Sequence, residues 1–213
     1  MKSLDRKKYL REDERKSVLD YLEREAIVAR AKGHRVPARD YYLFTVAFAS
    51  GLRPTELAER TIGDLTLGRS EVLLRVRRLK KRDEVVIEEV HLPKELRRML
   101  EEYLRWLKSA GLSTEPSAPL FPGRDGEPFT QNAMWRRWKA ALVGAGFSKD
   151  RAALRAIRHT CGTMLYRATK DLRLVQKHLG HARPTTTAIY ADVLDEDIQA
   201  GVDRMWSGES RKE

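Results

Sequence analysis

The sequence predicts an α+β fold that is mostly helical: a single domain carrying one small antiparallel β-hairpin or sheet. Apolar residues recur at helical spacing along most of the chain, whereas a single stretch, Glu71 to Leu92, turns to a Val-, Leu- and Ile-rich pattern with partial alternation. Bulk agrees. With 213 residues, 41% hydrophobic and 34% charged, the chain can bury one core and does not have the composition of a disordered polymer.

From Tyr9 to about Ala31, Val18, Leu19, Leu22, Ile27 and Val28 mark a helix. KGHRVPARD reads as a break, and YYLFTVAFAS, almost wholly apolar, as a buried helix ending at Gly51. Pro54 suits the first turn of the next helix, PTELAERT. EVLLRVRRL and EVVIEEVHL form the hairpin, with KKRDE at its charged tip. Leu96, Met99, Leu100, Tyr103, Leu104 and Leu107 then space another helix. The Pro- and Gly-rich GLSTEPSAPLFPGRDGEPFT is the longest loop, but neither flank has a self-sufficient pattern, so it is not read as a domain boundary. Helices are expected around Asn132–Val143, Ala152–Ala168, Leu172–Lys177, Thr185–Ala191 and Asp195–Met205.

Composition narrows the partners. Lys and Arg number 42 against 31 Asp and Glu, a formal charge of +11. That excess favours a polyanion, with nucleic acid ranked above an acidic membrane surface. No apolar run approaches the roughly 18 residues of a membrane span. MKSLDRKKYLREDERK has no apolar core of a secretory signal. Cys161 is the one cysteine, so no internal disulfide or zinc cluster can form, and a reducing, cytoplasmic compartment is the simple reading. Cys161 itself reads as buried and inert.

Four short pieces carry the chemistry. They are SGLRPTEL with Arg53 and Glu56, RLKKRDE with Lys80 and Lys81, LRAIRHTCGT with Arg155, Arg158 and His159, and LGHARPTTTAIY with His181 and Tyr190. Each alone is weak. In this order and at these gaps, they resemble the tyrosine recombinase and phage integrase family over nearly the whole chain. The resemblance implies cleavage and rejoining of DNA strands without metal or cofactor, through a 3′-phosphotyrosyl intermediate on Tyr190. Sites of this kind are found in bacterial, archaeal and phage proteins acting on the nucleoid or on mobile elements.

The residue types fit that chemistry. Attack on a phosphodiester loads charge onto two non-bridging oxygens, and guanidiniums are planar, bidentate and always charged. Arg53 and Arg158 are therefore expected to form the clamp. Glu56, three residues from Arg53, shares its helical face and either orients it or makes a surface pair with Arg60. Tyr190 is the expected nucleophile and His181 a phosphate ligand or proton handler. Lys80, on the hairpin tip, is the expected general acid for the departing 5′-oxygen, with Lys81 the alternative. Lys81, Arg82 and Arg183 are further expected DNA contacts. The acidic residues are scattered and no His/Cys ligand set appears, so no metal is called for.

The chain leaves the family pattern in two places. Arg155 stands where histidine is usual, three residues before the second arginine, and arginine cannot act as a general base. It is expected to grip phosphate or to favour ionised Tyr190 by its charge. His159 reads as a helix-packing residue. Arg53 also comes early, leaving no room for the core-binding or arm-binding domain that relatives carry. Residues 1–213 are thus read as a catalytic domain, cut from a longer protein or naturally minimal, with 194–213 its C-terminal helix and tail. Ile198, Val202 and Met205 or Trp206 give that helix an apolar stripe, suited to linking protomers in a dimer or tetramer on DNA or to packing on its own domain. Two rivals remain: a DNA-binding or regulatory protein on a weakened recombinase fold, and a DNA-relaxing topoisomerase of similar chemistry.

Overall fold

A computed structural model describes residues 8–79, 85–151, 153–181 and 185–190. The element order is α1 (Glu12–Ala31), α2 (Arg35–Ser50), α3 (Pro54–Ala58), β1 (Leu65–Leu67), β2 (Val72–Leu79), β3 (Val85–Leu92), α4 (Leu96–Ser109), α5 (Gln131–Gly144), α6 (Arg155–Thr169), α7 (Leu172–Leu179) and α8 (Thr185–Ala188). The mostly helical α+β prediction holds. The expected hairpin tip with Lys80, Lys81 and Arg82, the residue Arg183 and the expected helix Asp195–Met205 all lie outside the described residues.

Helix α2 is the centre of the molecule, and Tyr42, Leu43, Phe44 and Val46 on it are fully buried. It packs on α1 and α6, and Trp138 of α5 closes the core against Phe44 and Phe48. The expected break KGHRVPARD is largely helical instead, because α2 begins at Arg35. Pro37 falls in the first turn, where the N–H it lacks would have no helical partner. Arg39 and Asp40, polar residues that made the segment look like a loop, are buried together at 2.5 Å. Arg39 also donates to the Pro122 carbonyl at 2.6 Å and lies 3.7 Å from the Phe129 ring centroid. These contacts, with Tyr103 Oη donating to the Leu120 carbonyl at 2.8 Å, pin the long Pro-rich loop to the core.

The sheet is antiparallel in the order β1-β2-β3. Strand β1, three residues long, was too short to be read from alternation; it pairs Leu65 with Leu74 and Leu67 with Val72. Helix α6 starts at Arg155 rather than Ala152, after a separate 3-10 turn over Lys149–Arg151. At the other end α2 stops at Gly51, with φ +59°, and its amide donates to the Ala47 carbonyl. A side chain there would also strike Leu179 and Cys161 at 2.4 and 2.9 Å. Close contact at Gly51 is what brings α2, α6 and α7 together. A second, smaller core of Cys161, Val175, Leu179 and Tyr190 forms beside the main one. No described helix is long and apolar enough to cross a membrane.

Candidate active site

Arg53 stands at the joint between α2 and α3, as the residue before Pro54. Its Nη1 donates to Glu56 Oε1 at 2.6 Å, and its backbone N–H donates to Glu56 Oε2 at 2.7 Å. Glu56 is buried while the Arg53 side chain is 48% exposed, so the carboxylate holds the guanidinium base and leaves one side open. Of the two roles open to Glu56, the orienting one fits this geometry. Arg60 reaches only the Glu56 backbone carbonyl, and its guanidinium turns to Asp64 and the Arg75 carbonyl.

Arg158 projects from α6 toward two helix ends. Nη1 donates to the Gly51 carbonyl and Nη2 to the Leu179 carbonyl, both at 2.8 Å. Helix C-termini carry partial negative charge, which favours a cation there. Burial, then the neighbouring Arg53, lowers the Arg158 pKa to about 10, so it remains a cation at neutral pH. Arg53 and Arg158 thus bear on one place from different elements. Arg155, one turn earlier on α6, is exposed at the helix start.

His181 follows Gly180, the left-handed residue that ends α7 with φ +66°. Its Nδ1 lies 2.9 Å from Thr187 Oγ1, one of the three threonines before Tyr190. Burial, then Arg158 and Arg53, drives its pKa down to about 4, so the imidazole is neutral at physiological pH. His159 is likewise pushed down to about 4, by burial first and then by Arg158 and Arg155.

Tyr190 is completely buried, and its ring runs parallel to His181 at 6.2 Å. Its hydroxyl lies 3.3 Å from His159 Nδ1. His159 therefore touches the tyrosine hydroxyl as well as packing in its helix. Burial pushes the Tyr190 pKa up to about 12, against the pull of Arg158. Gly162, inside α6, makes room for the ring: a Cβ there would lie 2.5 Å from Tyr190 Cζ. In this conformation the ring fills the Gly162 notch and is shielded from solvent. Cys161, next in the helix, is held as a thiol, its pKa raised by burial to about 12.

Four of the expected residues, Arg53, Arg158, His181 and Tyr190, converge with Glu56 around the α2–α6–α7 junction. Three contributors escaped the sequence reading: Gly162, Thr187 and Arg78. A glycine inside a helix is a legible signal, since it costs about 1 kcal/mol against alanine and calls for a packing reason. Arg78 shows itself only as the polar end of the alternating row Val72, Leu74, Val76.

The Phage integrase family model matches residues 8–197. The chain is 32% identical over 164 residues to tyrosine recombinase XerD of Proteus mirabilis, covering 77% of this chain and 50% of that protein. It is 33% identical over 167 residues to XerD of Pseudomonas putida, covering 78% and 54%. The chain thus spans about half the length of the curated relatives it matches. Among solved structures, XerA recombinase superposes with a TM-score of 0.70 at 27% identity, over 96% of this chain and 66% of that one. XerH site-specific recombinase bound to difH substrate, in a pre-cleavage complex, gives 0.71 at 25%, over 90% and 52%.

Proposed function

Because the chain belongs to the phage integrase family, we propose that it is the catalytic domain of a site-specific DNA recombinase or integrase that cuts and rejoins strands through Tyr190. The convergence of Arg53, Arg158 and His181 beside Tyr190 carries this reading. Arg53 and Arg158 clamp the non-bridging oxygens of the scissile phosphate, and preorganised charge of this kind stabilises the transition state without reorganisation. Neutral His181, aligned by Thr187, hydrogen-bonds the same phosphate. Tyr190 Oη passes its proton to a neutral imidazole, His159 Nδ1 lying 3.3 Å from it, and forms the new bond to phosphorus while the bond to the 5′-oxygen breaks; Lys80 (or Lys81) gives that oxygen its proton.

Double-stranded DNA is the partner, held largely through phosphates by the excess of positive charge, with Lys81, Arg82 and Arg183 among the contacts, so affinity falls steeply with salt. Recombination joins two duplexes, so self-association on DNA, by way of the segment after Tyr190, belongs to this reading. Its place of action is cytoplasmic DNA.

The test is covalent trapping. On a nicked duplex that carries the native site and loses the short 5′-hydroxyl strand after cleavage, the protein should accumulate as a phosphotyrosyl adduct mapping to Tyr190. An adduct on Tyr166 or any other tyrosine, or none on a duplex that the protein binds specifically, would reject the reading. The second of these results would favour a binding protein on a weakened recombinase fold, which Arg155 at the usual histidine position also favours.

A further inference from the structure

Arg78 has been given no role in the chemistry so far, yet it is a buried, multiply engaged side chain beside the site. Strand β2 turns Val72, Leu74 and Val76 inward, and the next inward position is Arg78, only 6% exposed. A guanidinium so placed must find anionic or carbonyl partners. Nη1 binds Glu88 Oε2 at 2.6 Å, across the hairpin, and Nη2 lies 3.4 Å from the His178 carbonyl. Nε, which makes no hydrogen bond, sits 3.7 Å from Glu56 Oε1. That is the same oxygen that receives Arg53 Nη1 at 2.6 Å. One buried carboxylate is therefore shared by two arginines.

The fourth side of Arg78 meets bare backbone. A Cβ on Gly180 would lie 1.6 Å from Arg78 Nη1, so the guanidinium lies flat against the residue just before His181. We propose that Arg78 is a positioning residue for the Tyr190 reaction proposed above: it fixes Glu56, and through it Arg53, in register with the turn that carries His181. This rests on the recombinase reading. Arg78 is too covered to touch DNA itself. It acts on the clamp because Arg53, half exposed on a long side chain, is aimed only as well as its carboxylate is held.

The experiment is single-turnover cleavage of the nicked duplex, with DNA affinity and thermal melting measured alongside. Arg78→Gln should cleave roughly 10²-fold more slowly, the effect of misplacing a reacting group by about an ångström, with unchanged DNA affinity. The double variant Arg78→Gln/Glu56→Gln should be no slower than the slower single variant, since both act through one carboxylate. A duplex with a 5′-thiolate leaving group should give the same slowing, because the defect lies in the clamp. Additive losses, or recovery on the sulfur substrate, would overturn the proposal, and so would wild-type cleavage by folded Arg78→Gln. If Arg78→Gln does not fold, Arg78→Lys decides: it keeps the charge and loses the planar fork, so slowed cleavage by the folded protein supports the role and wild-type cleavage rejects it. A wild-type protein that forms no adduct takes down the recombinase reading and this role with it. A wild-type adduct on Tyr190 beside unimpaired arginine variants removes this role alone.

Discussion

Gly162→Ala is the most informative single change, because two opposing effects are readable from one glycine. In an exposed helix interior the added methyl would stabilise by about 1 kcal/mol. Here it would approach Tyr190 Cζ to 2.5 Å and both ring Cε atoms to 2.8 Å, so the ring has to go. Expelling a buried aromatic ring forfeits roughly 1.5–3 kcal/mol of burial. The variant should therefore be less stable by about 0.5–2 kcal/mol in denaturant unfolding, after the helix gain is deducted. Losing burial also removes the largest cause of the raised Tyr190 pKa, which should fall from about 12 toward its ordinary 10. NMR titration with ring-labelled tyrosine reads this directly, with Tyr190 identified among the seven tyrosines as the signal missing from Tyr190→Phe.

The linkage has a definite sign. A pKa raised in the folded state favours the protonated phenol, so its stabilising contribution is complete below pH 10 and lost as pH climbs through 12. The two-unit rise corresponds to about 3 kcal/mol. Wild type should therefore lose stability relative to Tyr190→Phe across that window, and Gly162→Ala should not. A Gly162→Ala protein about 1 kcal/mol more stable than the parent, with Tyr190 still titrating near 12, would refute the notch.

Four further outcomes follow from the site. Tyr190→Phe should abolish the covalent adduct while specific DNA binding, measured by mobility shift, stays nearly intact. Arg53→Lys and Arg158→Lys should each lose on the order of 3 kcal/mol of transition-state stabilisation in single-turnover cleavage, and Arg158→Lys should also melt lower because the Gly51 and Leu179 carbonyls lose their paired donor. Lys80→Ala should be slow on a normal phosphodiester and near wild type on a 5′-thiolate substrate; rescue seen only for Lys81→Ala would move the acid one residue along. If Arg155 favours ionised Tyr190 by its charge, Arg155→His should cleave well only below about pH 6.5, where imidazole is protonated, and a variant faster than the parent at neutral pH would reject that role.

What the sequence made legible, and what it hid, divides along a physical line. Arg53, Arg158, His181 and Tyr190, which the structure brings together, could be grouped from the sequence because the proposed chemistry fixes residue type, and their order along the chain survives any detail of packing. The apolar run Tyr41–Ser50 could be found because a fully buried helix needs no partner to betray it. Features that depend on what lies opposite could not be. Arg39 and Asp40 read as loop because their burial rests on each other and on Pro122 and Phe129, some 80 to 90 residues away. Gly162 reads as a mild helix defect until Tyr190, 28 positions later, is seen filling the gap. Arg78 is the sharpest case: by alternation it belongs to the inward face of β2, and by charge it should not. That conflict is itself a signal, because a strand tolerates a buried guanidinium only where carboxylates and carbonyls wait for it. If Arg53 and Arg158 form the proposed clamp, a third arginine forced inward beside the Glu56 carboxylate is the place to look for what holds it still.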